Sequence, residues 1–413
     1  QHHKYAGDNQ QQYPEAAHAI KTKPYMDDYL DSKSTVQGSI KMIQDVTHVH
    51  KQGGFEITGW VSNSEELLAL VPEEHRGERM KAMEVDTGNN VQRILGLHWD
   101  TVEDIWTFTT NFEKLDQDLI TGTRPPNKRE ILAVIMSVFD PLGLVAHFTV
   151  KGKMIMQAVW RQGYGWDDEI NGAALEKWNQ WVQELQEIST VRLPRCYSPW
   201  NPEKCTVQLH VFVDASEEAY CAAAYLRFEK DEEVKTMLVM AKARVASLKA
   251  VSIPRLELMA AVLGVRVAST LTKELDLSIG STTFWSDSRT VLCWIRNADT
   301  PRYKQFVAHR VGEILETTEG PNWRYVPTKL NVADDGTRSK GPTSFDPNGR
   351  WYQGPEFLSR PKEHWPTEPN DRYKPEDEVL EVKGGQVGYV HQEHRVLPGL
   401  DRSSYLRLLP TPA

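Results

Sequence analysis

An α/β (α+β) architecture, a sheet flanked by helices, is predicted for this chain on three observations. Val207, Leu209, Val211 and Val213 alternate as in a half-buried strand, and the run ends at Asp214. Leu256, Ala260, Leu263, Val267 and Leu271 recur at helical spacing behind Pro254. Proline opens helices readily, because its missing N–H falls among the orphan donors of the first turn. A second apolar run, Thr283-Phe284-Trp285, leads to Asp287, after which Ser288 to Arg296 reads as a helix.

With 413 residues, 40% of them apolar, the chain is long enough for two or three domains with real cores. A formal net charge of −9 and a pI near 5.9 argue against a generally basic nucleic-acid binder, so any such binding has to use local patches. Cys196, Cys205, Cys221 and Cys293 form no Cys-x-x-Cys pair and no repeated spacing. That pattern indicates neither a zinc site nor a disulfide framework, and it fits a reducing, intracellular setting. No apolar run reaches the length of a membrane span and nothing at the start resembles a signal peptide, so a soluble chain without a membrane partner is expected. The first residue is Gln, which suggests a fragment or a processed piece.

Residues 1–20 are polar, rich in Gln and His, and without metal-ligand spacing. In Pro24-Tyr25-Met26-Asp27-Asp28-Tyr29-Leu30, aromatic and apolar residues bracket two adjacent carboxylates as a hairpin tip presents them. Two acids in a turn are ordinary by themselves, but this stretch resembles the Tyr-x-Asp-Asp motif of the reverse-transcriptase palm. The resemblance implies that Asp27 and Asp28 are metal ligands for nucleotidyl transfer, with a third Asp on an earlier strand. Asp8 is too near to be that third residue, so the fingers and most of the palm are expected to be missing and no primer extension by this chain alone is expected. Gly53-Gly54-Phe55 and Ile94 to Asp100 resemble the segments that follow the palm motif. Val85-Asp86-Thr87-Gly88 spells the core of an aspartic-protease site, yet Lys81, Met83 and Glu84 stand where a buried apolar strand is needed, and it reads as a turn before a strand.

Lys128 to Gly163 has helical apolar spacing, broken by the turn signal Asp140-Pro141-Leu142-Gly143. Trp160, Trp166, Trp178 and Trp181 read as core and packing residues rather than a base-stacking platform. This region resembles the thumb and connection of the same polymerases, and Leu193-Pro194-Arg195 through Pro202 reads as a linker.

Four acids then occur in separate motifs: Asp214 at a strand tip, Glu257 on the rim of the Pro254 helix, Asp287 after the second strand, and Asp334 in Asn331-Val332-Ala333-Asp334, where a final helix is expected to begin. Each alone reads as a turn or cap residue. Together they can converge on one point, where their mutual repulsion calls for divalent cations. An all-oxygen ligand set favours Mg²⁺ or Mn²⁺ over Zn²⁺, and two such ions suit in-line displacement at phosphorus. Basic residues flank the acids: Lys242, Arg244, Lys249 and Arg255 before Glu257, and Arg289, Arg296, Arg302, Lys304 and Arg310 after Asp287. In isolation these are solvated basic faces; beside four acids they suit the phosphates of a duplex.

Ala243-Arg244-Val245-Ala246, Ile253 to Leu258, Trp285-Ser286-Asp287-Ser288 and Asn331 to Asp334 resemble, in order, the RNase H domain of Pao/BEL-type long-terminal-repeat retrotransposons. The resemblance implies an RNase H-like mixed sheet flanked by helices, in which Asp214 bridges two metals, Glu257 and Asp287 help hold one, and Asp334 the other. It further implies an RNA/DNA hybrid as substrate, the rest of the pol polyprotein as a partner, and a cytoplasmic particle or the nucleus as the compartment. Many RNases H carry a mobile His before the last Asp; Val326 to Leu330 has none, and Lys329 is the nearest substitute. The expected organisation is a truncated palm and thumb-like segment over 1–118, a helical connection over 119–200, the RNase H-like domain over 201–345, and a post-domain segment and linker over 346–413. His391 and His394 lack the partners of a zinc module and read as an exposed loop. The alternative is a catalytically idle remnant that acts as a nucleic-acid-binding or assembly module.

Overall fold

The computed structural model describes residues 7–25, 28–77, 91–94, 97–109, 112, 115–297, 300–338, 341–370 and 381–382. Near the N-terminus, α1 (Pro14–Thr22) and α2 (Val36–Gln52) pack through Ala16, Ala17, Ile20, Met42, Val46 and Val49. The Thr35 side chain caps α2 by accepting the N–H of Gly38. Between the helices, β1 (Pro24–Tyr25) and β2 (Asp28–Tyr29) pair antiparallel with Tyr25 opposite Asp28, a hairpin where the two-acid stretch predicts one. Asp27 lies outside the described residues, as do Val85-Asp86-Thr87-Gly88, His391 and His394.

A small antiparallel sheet follows, in the order β3 (Val91–Ile94), β4 (Leu97–Asp100), β5 (Ile105–Thr107) and β6 (Arg192–Pro194). The last strand corrects the linker expected from Leu193 onward. Leu193 is buried opposite Trp106, and Arg195 Nε meets Asp104 Oδ1 at 2.5 Å, so an apolar side chain and an ion pair fix this stretch to the sheet edge.

Three helices occupy the middle of the chain: α3 (Lys128–Ser137), α4 (Ala146–Arg161) and α5 (Gly172–Glu187). A reciprocal capping box opens α3: Asn127 Oδ1 accepts the N–H of Glu130, whose carboxylate accepts the N–H of Asn127. The Asp140 turn ends that pattern and starts α4. Its two carboxylate oxygens accept the N–H groups of Leu144 and Val145 at 2.8 and 2.9 Å, satisfying donors that no carbonyl of the helix can reach. Trp178 and Trp181 are core residues, Trp181 stacking on Phe148 at 4.9 Å. Trp160 and Trp166 are not: they are 45% and 40% exposed and pack edge-to-face on each other, with the Lys128 ammonium over the Trp160 ring. Helical spacing alone could not separate the two pairs: Trp160 stands at the exposed C-terminal end of the otherwise buried α4, and Trp166 lies beyond it.

The main sheet is mixed. Its strands are β7 (Thr206–Ala215), β8 (Ala219–Lys230), β9 (Glu233–Val245), β10 (Ser281–Ser286) and β11 (Trp323–Tyr325), in the spatial order β11-β10-β7-β8-β9. The pairs β11–β10 and β10–β7 are parallel; β7–β8 and β8–β9 are antiparallel. One face carries α6 (Ile253–Glu274), α7 (Arg289–Asn297) and α8 (Gln305–Thr317) over Val207, Leu209, Val211 and Val213. Gly264 allows the close approach of α6, since a Cβ there would sit 2.5 Å from Val213 Cγ1. The other face, with Phe212, Tyr225 and Trp285, shares one apolar cluster with α4, α5 and the C-terminal Trp351, Phe357, Leu358 and Trp365. β7 is therefore buried on both faces and not half-buried.

The chain beyond β11 departs from the final helix expected at Asp334. Residues Val332–Gly336 form a 3₁₀ turn, and the chain then runs irregularly to the short helix Arg350–Gln353. The second face of the sheet is already covered by α4, which precedes it in sequence, so no long closing helix is needed there.

Candidate active site

Parallel pairing of β7 and β10 sets Ser286 level with Val213, so the acids that follow, Asp214 and Asp287, leave the sheet at the same end. Glu257, one turn into α6, is buried beside them and accepts the backbone N–H of Ala215. Ligand oxygens of Asp214, Glu257 and Asp287 all lie within 4.8 Å of one another. Asp334 is placed differently. It is electrostatically coupled to Asp214 and Glu257, yet its Oδ1 lies 2.5 Å from Nε of Arg338 and it stands outside the three-carboxylate cluster.

The electrostatics are those of buried acids that repel one another. Burial first, then the charge of Asp287, pushes Asp214 up to about 7, against the downward pull of a hydrogen bond from Thr337. Glu257 is pushed well above the usual carboxylate range by burial and then by Asp214 and Asp287. Burial also raises Asp334, with Arg338 opposing. Among the described residues Oε2 of Glu257 is buried without a hydrogen-bond partner, an arrangement that costs stability until something satisfies it. The donor set is oxygen only, so these residues fit a hard divalent cation.

Comparison with known proteins bears on this region. Residues 127–288 match the family model of a Pao retrotransposon-like RNaseH-like domain. The match runs from the capping Asn127 of α3 to Ser288 and contains Asp214, Glu257 and Asp287; Asp334 lies beyond it. Among solved structures, the RNase H1 of the halophilic archaeon Halobacterium salinarum NRC-1 is similar at 10% sequence identity over 31% of this chain and 90% of that chain, with a TM-score of 0.21. The fold described above rests on strand order and not on that likeness. A search among curated proteins gives no match.

The basic residues fall into two groups. Lys242, Arg244 and Lys249 are exposed; the first two lie on the edge strand β9, opposite Ala222 and Tyr220, which face α6. Arg302 and Lys304 are exposed before α8. Arg255, Arg289 and Arg296 meet carboxylates of the C-terminal segment. Arg255 grips Glu381 in a bidentate pair at 2.7 and 3.0 Å, Glu381 O accepts the N–H of Lys304, and Val382 bridges to Tyr303. Glu368 lies 2.5 Å from Arg296 Nη1 and 3.5 Å from Arg289 Nε. Of Asp28 only the backbone is described.

Two polar residues beside the acids have no role assigned from the sequence, although Asn331 opens the motif that ends at Asp334. Asn331 and Thr337 are fully buried. Asn331 Nδ2 donates to Asp287 Oδ1 and to the carbonyl of Val213, and Thr337 Oγ1 donates to Asp214 Oδ2. Their spacing, three residues to either side of Asp334, is the signal that marks them. Gly336 between them is tied to its place, since a Cβ there would sit 2.4 Å from Sγ of the buried Cys221.

Proposed function

We propose that this chain is an RNase H-type nuclease that hydrolyses the RNA strand of RNA/DNA hybrids, as part of a Pao/BEL-type retrotransposon polyprotein with an incomplete polymerase portion at Asp27 and Asp28. The observation that carries the reading is the convergence of Asp214, Glu257 and Asp287 within 4.8 Å, one of their oxygens buried and unsatisfied among the described residues. These three acids would hold Mg²⁺ or Mn²⁺, and Asp334, released from Arg338, would extend the ligand set. The chemistry that divalent cations would supply there is activation of water and stabilisation of the leaving oxygen in an in-line displacement at phosphorus. The residues themselves fix the oxygens through the ends of two parallel strands and one helix, and burial keeps bulk water from screening them. Exposed Lys242, Arg244, Lys249, Arg302 and Lys304 suit contacts to the phosphates of the duplex, which set register without reading sequence.

The rival reading, an idle binding or assembly module, draws on one observation: Arg255, Arg289, Arg296 and Arg338 are all paired within the chain. A labelled RNA strand offered to the purified chain in Mg²⁺ or Mn²⁺ separates the two. Cleavage is expected when the strand is paired with DNA, and not in an RNA duplex; a DNA duplex is left intact. Binding of the hybrid without cleavage in either metal would favour the rival.

A further inference from the structure

The stretch Asn331–Arg338 does more than deliver Asp334. Asn331 sits with its amide between two elements of the acid cluster: Nδ2 lies 3.1 Å from Asp287 Oδ1 and 3.0 Å from the carbonyl of Val213, and Oδ1 accepts the N–H of Ala333 at 3.3 Å. One amide thus ties the tip of β7 to the carboxylate that follows β10. Thr337 reaches the other side, its hydroxyl 2.5 Å from Asp214 Oδ2 and 3.1 Å from the carbonyl of Asp334. A hydroxyl has one proton to give, and the carboxylate at the shorter distance takes it. Both side chains are fully buried, so water cannot replace either bond.

Each bond engages one oxygen of a carboxylate and leaves the other for a cation. Without them, two mutually repelling acids would rotate apart about χ1 and χ2, and the 4.8 Å cluster would have to be re-formed whenever a cation binds. From this geometry we propose that Asn331 and Thr337 are positioning residues, which hold Asp287 and Asp214 in the orientation that takes up a divalent cation. The proposal rests on the metal-dependent reading above, and its test is read on the metal directly.

The test uses the whole chain without nucleic acid, with Mn²⁺ uptake followed by electron paramagnetic resonance or calorimetry. Thr337→Val keeps the shape and removes the donor; Thr337→Ser keeps the donor and removes a methyl group; Asn331→Leu keeps a similar size and removes the donor without adding a charge. Partners that orient metal ligands typically contribute about 10- to 100-fold in metal affinity or activity. Thr337→Val and Asn331→Leu are therefore expected to weaken Mn²⁺ binding by about tenfold or more, with Thr337→Ser close to wild type. The Mg²⁺ concentration for half-maximal hybrid cleavage should shift by the same factor, while hybrid affinity in EDTA stays put. Wild-type Mn²⁺ affinity in Thr337→Val, or equal losses in Thr337→Val and Thr337→Ser, would overturn the proposal, as would a loss that follows the unfolding midpoint alone. A wild-type chain that binds Mn²⁺ but cuts no hybrid would sink the nuclease reading, with positioning still decided by the Mn²⁺ series.

Discussion

The acids at the end of the main sheet and the arginines around them stand in opposite conditions. Buried Asp214 and Glu257 crowd against half-buried Asp287, with Glu257 Oε2 unpartnered among the described residues and the carboxyls of Asp214 and Glu257 pushed upward. Arg255, Arg289 and Arg296 meet Glu381 and Glu368 of the chain's own C-terminal segment. The acids repel one another under burial, a condition that a divalent cation would relieve. The arginines already hold anions, so phosphates compete for them rather than fill empty sites. Metal binding therefore gains from relief of strain already in the fold, whereas duplex binding at these arginines gains only the difference between a phosphate and a carboxylate.

The largest effect expected from this contrast is on cleavage. Glu257→Gln retains the side-chain volume and removes the charge, and it should lower hybrid cleavage by orders of magnitude with little change in hybrid affinity. Equal cleavage by Glu257→Gln and wild type would remove Glu257 from the metal site.

Next in size is the cost of the uncompensated acids. The folded-state value of Asp214, about 7, stands above the ordinary carboxylate value near 3.9. The folded chain then binds more protons than the unfolded chain between these values, so stability falls as pH rises through that window and stays low above it. In EDTA, Asp214→Asn should raise unfolding stability at pH 8 by at most about 4 kcal/mol and change it little near pH 4. Saturating Mg²⁺ should narrow the gap at pH 8 by stabilising the wild type. Denaturant titrations at the two pH values check this, and a difference independent of pH would contradict it.

Smaller effects are expected at the arginines. Surface ion pairs are worth about 0.2–1 kcal/mol, so Glu368→Gln should tighten hybrid binding by at most about fivefold per pair released. Fluorescence anisotropy across a salt series would register it; unchanged or weaker binding would mean that Glu368 does not compete with phosphate. Smallest of all, Arg255→Ala and Arg302→Ala should each flatten the slope of log affinity against log salt by about 0.9 for every phosphate left without its cationic partner. An unchanged slope would return these residues to an ordinary solvated face.

Strands β7 and β10 and the long helix α6 are legible in local apolar patterns, whereas β8, buried on both faces without alternation, and β9 drew no reading from the sequence. Pro254, the Leu256 to Leu271 stripe and the run into Asp214 each lead to the observed element. The second cover of the sheet was not legible, because α4 and Trp351 to Trp365 reach it from both sides in sequence and leave no local mark on β7 beyond Phe212. For the same reason the final helix at Asp334 was expected where a 3₁₀ turn occurs. Among the acids, residue type and order pointed to Asp214, Glu257 and Asp287, whereas the hold of Arg338 on Asp334 depends on a turn geometry that sequence spacing does not encode. Asn331 and Thr337 escaped because buried polar residues look like caps until their partners are seen. The pairing of Arg255 with Glu381 joins residues 126 apart, beyond any local pattern.

The most direct measurement compares wild type and Asp214→Asn on one labelled RNA/DNA hybrid, each in Mg²⁺ and in EDTA. Cleavage of the RNA strand by wild type in Mg²⁺, and by neither protein in EDTA nor by Asp214→Asn in either condition, is the predicted result. Cleavage that survives EDTA, or that persists in Asp214→Asn at the wild-type rate, would contradict a metal-dependent site built on Asp214.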